Sequence, residues 1–541
     1  MSSPAVVVGA QRPAALAAAP HSTWRAIALP TLLAATLAAV YLIWAPPSAD
    51  LAAQEFRTWL FDEVGFTPWD GQWFGGHHTP GYSVLFPPLA SLLGPRLVGA
   101  VATVAGAALF AAIADGAWGE RSRVGALWFG AAVTASLFNG RMTFALGVAI
   151  GLAAILAMQR DRRVLGYAFA VLTGLASPVA ALFLALAGCA WAIGDRQRRG
   201  LALAAAAFVP AALLALAFPE GGTEPFVISA FLPVLAVAVV AVAVLPGDER
   251  VLRTGAVLYA LATCAAFLLD TPMGGNATRL CTLFAGPLLA CALWGRRTTL
   301  LLVMAPVLVF LQLGPPIRDV VRAQDDPAVQ RSFYAPLLRF LDQEVETLHE
   351  PVRVEVLPTE DHWESRWVAT RHPIARGWVR QLDRRYGSLF YRKRLDPAAY
   401  RRWIDSLGVS LVAVPAAPLD YAAAPEAGLI RRGLPWLVPA FRGGSWVVYR
   451  VQRPTGLSDP PIRVTALDPS SVSLTAVRPG TAIVRVRFSP YWALVEGTGC
   501  VARGRGGMSR VTLRQTGRAR LAIRFSLARL LSRGPRCRHS D

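Results

Sequence analysis

Asp50 follows the first long apolar run of the chain directly, after Pro46-Pro47. A carboxylate at the outer lip of a membrane helix has the chemistry of a general base, able to take a proton from a hydroxyl brought to that surface. The same residue suits the N-cap of the helical run behind it, because an Asp side chain accepts hydrogen bonds from the free N–H groups of a first turn. Asp62, Glu63 and Asp70 are later acids of the same stretch and stand in reserve. Arg141 in FNGRMTF and Arg279 in GGNATRL each sit at the mouth of an apolar segment. Arginine near the bilayer centre costs about 2.5–3.5 kcal/mol on insertion scales. Two reasons would justify it: snorkelling to lipid headgroups, or clamping the phosphate of a lipid-linked ligand with the guanidinium fork.

His77 and His78, in GGHHTPGYS, lack placed carboxylates, so hydrogen bonding to a polar ligand is favoured over metal binding. Tyr82, with Trp69, Trp73 and Phe74, makes either a stacking wall for a sugar or an interfacial aromatic belt. Residues 362–391 are dense in Trp, Arg, His and acids. Trp363, Glu364, Arg376, Trp378, Gln381 and Asp383 are the types that line carbohydrate sites, and equally the types that hold a folded interface together. Asn276 joins Arg279 in the candidate binding set; its N-A-T sequon lies too close to the membrane for glycosylation. GRGGM at 504–508 lacks the lysine of a P-loop. No metal or cofactor is called for.

These residues need a scaffold, and composition says which. The 541 residues are 54% hydrophobic with mean hydropathy +0.43, more apolar sequence than a soluble core requires. The expectation is a polytopic α-helical membrane protein with about eleven spans, near 26–45, 95–114, 124–138, 142–158, 164–176, 178–193, 201–218, 226–245, 254–269, 279–294 and 299–314. Between the spans, arginine alternates. Arg121/Arg123, Arg160/Arg162/Arg163, Arg196/Arg198/Arg199, Arg250/Arg253 and Arg296/Arg297 form one set, the positive-inside signature of cytoplasmic loops. The other set is nearly empty, its exceptions being Arg57, Arg96, Arg141 and Arg279, of which Arg57 and Arg96 read as headgroup anchors. The charge pattern also makes 164–193 a hairpin broken at Ser177-Pro178. The net charge of +20 is then a matter of loops and anionic lipid rather than nucleic acid.

The arrangement places residues 1–25 in the cytoplasm, the helical domain at 26–314, a first outer loop at 46–95 and everything after 315 outside. Within the loop, Leu51, Phe56, Trp59 and Leu60 share an apolar side, predicting a helix lying along the membrane surface; the Gly/Pro/aromatic stretch after it suits a fixed irregular loop. Residues 315–455 alternate helix-like runs (335–348, 397–407) with strand-like ones (352–357, 410–414, 445–451), a small α/β unit. Residues 456–541 read as a β-sandwich with strands at 462–467, 471–477, 482–489, 509–516 and 519–526, followed by a basic tail. Cys500 and Cys537 lie there and could pair; the other cysteines fall in apolar segments as small buried hydrophobes.

With GQWFGGHH and PGYSVLFPPL in its first outer loop, short-looped helices and a distal outer domain, the chain resembles the GT-C superfamily of polytopic glycosyltransferases. Within that group it is similar to the actinobacterial membrane proteins of the pyruvoyl-tetrahydropterin-synthase-related family. The resemblance implies transfer of a sugar from a polyprenyl-phosphate donor to a cell-envelope glycan or glycolipid acceptor at the outer face of the bacterial plasma membrane. Asp50 matches the base, and Arg141 and Arg279 the residues that hold the lipid phosphate. The chain departs from the pattern in lacking a second acid beside Asp50. A lipid or polysaccharide transporter, or a non-catalytic envelope scaffold, are the competing classes; transporters favour midplane polar residues, whereas this chain gathers its polar residues at one surface.

Overall fold

A computed structural model describes residues 24–526, 529–530 and 537. The segment 1–23 and most of the basic tail, both assigned from sequence, lie outside the described residues. All eleven apolar segments are helical. Seven stretches are long and apolar enough to cross a membrane by length and composition, a pattern compatible with a polytopic membrane protein. Length does not reach eleven crossings: Arg163–Ala176, Pro178–Gly194 and Ile228–Val244 are shorter apolar helices, and 95–138 qualifies as one stretch. That stretch nevertheless folds back on itself, since Gly99 packs against Leu137 and Met142, and Gly106 against Val133. The last apolar helix, Thr298–Gln324, runs on through Pro315-Pro316, ten residues past the span end expected at 314.

The two arginine sets occupy opposite ends of these helices. Asp161 pairs with Arg163 at 3.0 Å and with Arg199 at 3.1 Å, so the connections on either side of the 163–194 hairpin lie together. Asp248 pairs with Arg296, and the neighbouring Glu249 accepts from Trp118 Nε1 at 2.8 Å. The break at Ser177 is capped locally: its extended backbone ends one helix while its hydroxyl accepts from Ala180 N.

At the other end, helix Ala49–Val64 is wedged between the apolar helices and the C-terminal region rather than laid along a surface. Gln54 accepts from Thr143 and donates to Tyr82, Phe56 stacks on Trp73 at 4.1 Å, and Glu55 pairs with Arg366. The aromatic stretch behind it contains a two-residue hairpin, with Trp69 opposite His78 and Asp70 opposite His77. Gly76 is required there: it has positive φ, and a Cβ would fall 2.2 Å from the Trp69 ring. The hairpin docks through backbone bonds from Arg487 N to Gly75 O, Gly71 N to Pro469 O, and Ile374 N to Gln72 O.

The C-terminal region is β-rich. Its first sheet has the order Arg353–Val356, Val409–Pro415, Trp446–Val451, Leu437–Gly443, with the first pair parallel and the rest antiparallel. A parallel pair needs a long crossover, and residues 357–408 supply it, carrying the whole Trp/Arg-rich segment. Beyond it stand two antiparallel sheets, of four and three strands, around Val472, Val484, Trp492, Val511 and Leu521. Cys500, on the edge strand Gly499–Arg503, forms a disulfide with Cys537.

Candidate active site

A polar cavity of about 450 Å³ opens where the apolar helices meet the α/β unit. Its size is that of a small-ligand pocket. One wall carries Ser48, Asp50, Asn139 and Arg141; the end of the last apolar helix adds Asp319 and Arg322; the opposite wall holds Glu360, His362, Trp378, Arg380, Asp420 and Tyr421.

Local structure explains how Asp50 comes to face it. Ser48 takes the N-cap position of helix Ala49–Val64, leaving Asp50 in the first turn with its carboxylate free of the capping role read from sequence. Arg141 is delivered by the tight turn before helix Met142–Gln159. Gly140, at φ +73°, packs so closely on the start of the Asp50 helix that a Cβ would meet Leu51 N at 2.4 Å. Arg141 Nε then lies 3.3 Å from Asp50 Oδ2, with both side chains about one-third exposed.

The opposite wall is built at the carboxyl ends of the two parallel strands, the usual position of ligand crevices in such sheets. Glu360 and His362 follow the first strand; Asp420 and Tyr421 follow the second. Arg380 grips Asp420 through two bonds of 3.0 and 2.6 Å. His362 reaches the same carboxylate at 3.3 Å and stacks on Trp378 with centroids 3.5 Å apart. Burial works against charge on this imidazole, but Asp420 and Glu364 outweigh it and hold its pKa above the ordinary value. The same contacts overcome burial at Asp420 and hold it far below the carboxylate range. The guanidinium of Arg380 lies 4.7 Å from the centroid of Tyr421, which is 60% exposed.

Asp50 and Arg141 are therefore brought together. Arg279 does not line the cavity, but it lies near enough for Asp50, Arg141, Tyr82 and Glu224 to act electrostatically on it, with its guanidinium 5.5 Å from the Phe144 ring centroid. Asn276 sits one turn before it, half-buried. Glu224, from the loop between two apolar helices, is a second acid in this field that sequence reasoning missed. Burial pushes its pKa up to about 7 against Arg380 and Arg279.

The remaining candidates are placed elsewhere. His77 and His78 are buried in the docked hairpin, His77 at 3.4 Å from Asp70 and His78 at 2.7 Å from Glu220 and 3.0 Å from Ser489. Burial drives His77 down to about 3 and Asp70 up to about 7, so the two meet as neutral groups around pH 5. Tyr82 accepts from Gln54 beneath the Arg57 guanidinium, at 3.7 Å. Arg57 and Arg96 are internal brackets rather than headgroup anchors; Arg96 donates to Tyr41 and to Pro46 O. Of the 362–391 set, Trp363 is core, Glu364 accepts from Thr359, and Arg376 closes on Asp383 through two 2.7 Å bonds with Glu426 at 3.5 Å. All four are nearly inaccessible. Gln381 donates to Pro272 O, tying the α/β unit to the loop before Arg279.

Among the described residues no group of three or more His, Cys, Asp or Glu is placed to hold a metal ion. No protein-family model matches the chain, and no curated protein is similar to it.

Proposed function

We propose that the chain is a GT-C-type glycosyltransferase that moves a sugar from a polyprenyl-phosphate donor to a cell-envelope acceptor, with Asp50 as the base. The observation that carries this reading is the Asp50–Arg141 pair, set 3.3 Å apart at the edge of a 450 Å³ polar cavity beside apolar helices. A lipid-linked donor needs this junction: its chain lies among helices while its phosphate and sugar reach polar groups. In the reaction, the Asp50 carboxylate takes the acceptor hydroxyl proton as that oxygen bonds to the anomeric carbon. The bond from that carbon to the phosphate oxygen breaks, and the electron pair leaves with the polyprenyl phosphate. Arg141, released from Asp50 by the incoming phosphate and backed by Arg279, stabilises the departing charge. A single displacement inverts the anomeric centre. Trp378, Arg380 and Tyr421 on the opposite wall bind the acceptor.

The same proposal assigns eleven crossings of the bacterial plasma membrane, with the arginine-rich connections and the N-terminus in the cytoplasm and the cavity outside. The test incubates membranes bearing the parent or Asp50→Asn protein with a panel of labelled polyprenyl-phosphate sugars. Transfer by the parent alone supports the reading. Equal transfer by both removes Asp50 as base, and transfer by neither overturns the transferase in favour of a transporter or scaffold.

A further inference from the structure

Arg353 opens the first strand of the α/β unit, and its side chain is completely buried. One corner of the guanidinium is satisfied: Nη1 donates to Leu407 O, at the end of helix Pro397–Leu407, and to Arg485 O at 2.7 Å. The Nε–Nη2 edge is not. Both nitrogens are closed off from solvent and donate to no group among the described residues. This edge is the fork with which arginine grips an anion through two parallel N–H bonds. Arg376 closes the same edge on Asp383.

Charge deepens the imbalance. No carboxylate lies within ion-pair distance of Arg353 among the described residues, and the charges that act on it are those of Arg487 and Arg485. Both belong to the sandwich strand Gly480–Arg487, and Nη1 of Arg485 is likewise buried without an acceptor. The acids of this junction are committed elsewhere: Asp405 to Arg401 at 2.9 Å, Asp459 to Arg485 at 2.7 Å, and Glu220 to His78 and Tyr386. Burial, then Arg487 and Arg485, pushes the Arg353 pKa down to about 9, which leaves the group charged at neutral pH.

The helix end at Leu407 supplies only about half a negative charge. A buried cation without a full counter-charge is strongly destabilising, and water would fill the two hydrogen bonds without neutralising it. A spherical monovalent anion answers both needs. It accepts from the N–H groups of one fork at any angle and cancels one charge. A phosphate would bring more charge than one guanidinium offsets, and more oxygens than these buried donors satisfy.

We infer that the Nε–Nη2 edge of Arg353 holds a halide ion, chloride in ordinary media, where the α/β unit, the sandwich and the docked hairpin meet. The hairpin reaches this junction through Phe74 O, which accepts from Arg487 Nε at 2.8 Å. Arg353 and its partner Val409 begin the two parallel strands whose far ends carry the Asp50 cavity wall, so the site is separate from that cavity and does not depend on the transferase reading. The test melts the full-length protein in neutral detergent while chloride, then bromide, replaces gluconate at constant ionic strength. Above the dissociation constant, each tenfold rise in halide should raise the parent's melting temperature by about 1–3 °C. Arg353→Met, which removes the cation and keeps apolar bulk, should lose this dependence. If that variant fails to fold, bromide-soaked crystals of the parent decide: an anomalous peak against the Arg353 edge supports the site, and water alone there overturns it. A parent indifferent to halide, or a variant that responds equally, also overturns the inference.

Discussion

At one end of the helices Asp161 holds Arg163 and Arg199, with 68% of its side chain and nearly half of each arginine open to solvent. At the other end Arg380 closes on Asp420 with 11% and 7% exposed, and behind it Arg376 closes on Asp383 with 3% and 5%. The residue types are the same, and the physics is not. Exposed pairs are screened by water and salt and contribute little one by one; what acts there is the summed charge of the connections. Inside the α/β unit each of these guanidiniums is held in a dry bidentate pair and compensates a buried carboxylate, so single residues matter. Arg141–Asp50 lies between these extremes, dry enough to interact and open enough to exchange partners.

Arg376→Met should break the comparison most severely. It leaves Asp383 and Glu426 facing each other in the interior, with Glu355 close by, and removing one partner of a buried pair costs about 3–5 kcal/mol. Thermal unfolding in detergent should show a large loss of melting temperature. Arg123→Met, at an exposed pair with Glu120 at the opposite end, should remain within about 1 kcal/mol of the parent. Similar effects from both would erase the distinction.

Arg141→Gln comes next. If Arg141 receives the departing phosphate, its loss should lower transfer about 10²- to 10³-fold, the usual scale for one preorganised charge donor. The melting temperature should hardly move, because the partly exposed Asp50 is rehydrated. Arg199→Gln should leave transfer unchanged. A collapse in stability with Arg141→Gln would make the residue a structural bracket like Arg96.

Asp70 sharpens the contrast through pH. Its folded pKa of about 7 lies above the ordinary 3.8, so the folded protein retains a proton that the unfolded chain releases between these values. The stability tied to neutral Asp70 is complete below about pH 4 and is lost as pH rises toward 7, by about 1.4 kcal/mol for each pH unit crossed. His77, lowered to about 3, has the opposite slope between pH 3 and 6.5, when the unfolded chain binds the extra proton. Asp70→Asn removes only the first slope. Its melting temperature should therefore gain on the parent's from pH 4 to 7 and run parallel above; a constant offset at all pH would mean that Asp70 is ionised in the fold.

How much of this was legible in sequence follows from which forces are local. Helix positions, the sorting of arginine, and the delivery of Asp50 and Arg141 to one surface all rest on hydropathy period and charge counts. Three strands of the C-terminal region escape such a reading: Leu437–Gly443, Trp492–Glu496 and Gly499–Arg503. All are edge strands, whose burial alternates weakly because one side has no neighbour. The 362–391 segment was legible in composition but not in direction. Residues 362, 378 and 380 face the cavity while 363, 364, 376 and 383 turn into the core, because an irregular crossover has no period from which to read orientation. Arg380 also finds Asp420 forty residues away, a pairing visible only once the two parallel strands align.

The smallest expected effect belongs to Asp161, and its smallness is informative. Arg163 and then Arg199 hold its carboxyl below the ordinary range, so whatever stability it contributes is present above about pH 3.8 and lost as pH falls through the lowered value. Being open to water, it should contribute through screened attraction alone. Asp161→Asn should therefore melt with the parent at pH 7 in about 0.5 M salt, where charges only a few ångström apart are already shielded, and fall only slightly below it at low salt. A marked, salt-insensitive loss would mean that Asp161 locks the 163–194 hairpin as Asp420 locks the cavity wall, and that the two ends of the protein use arginine in the same way.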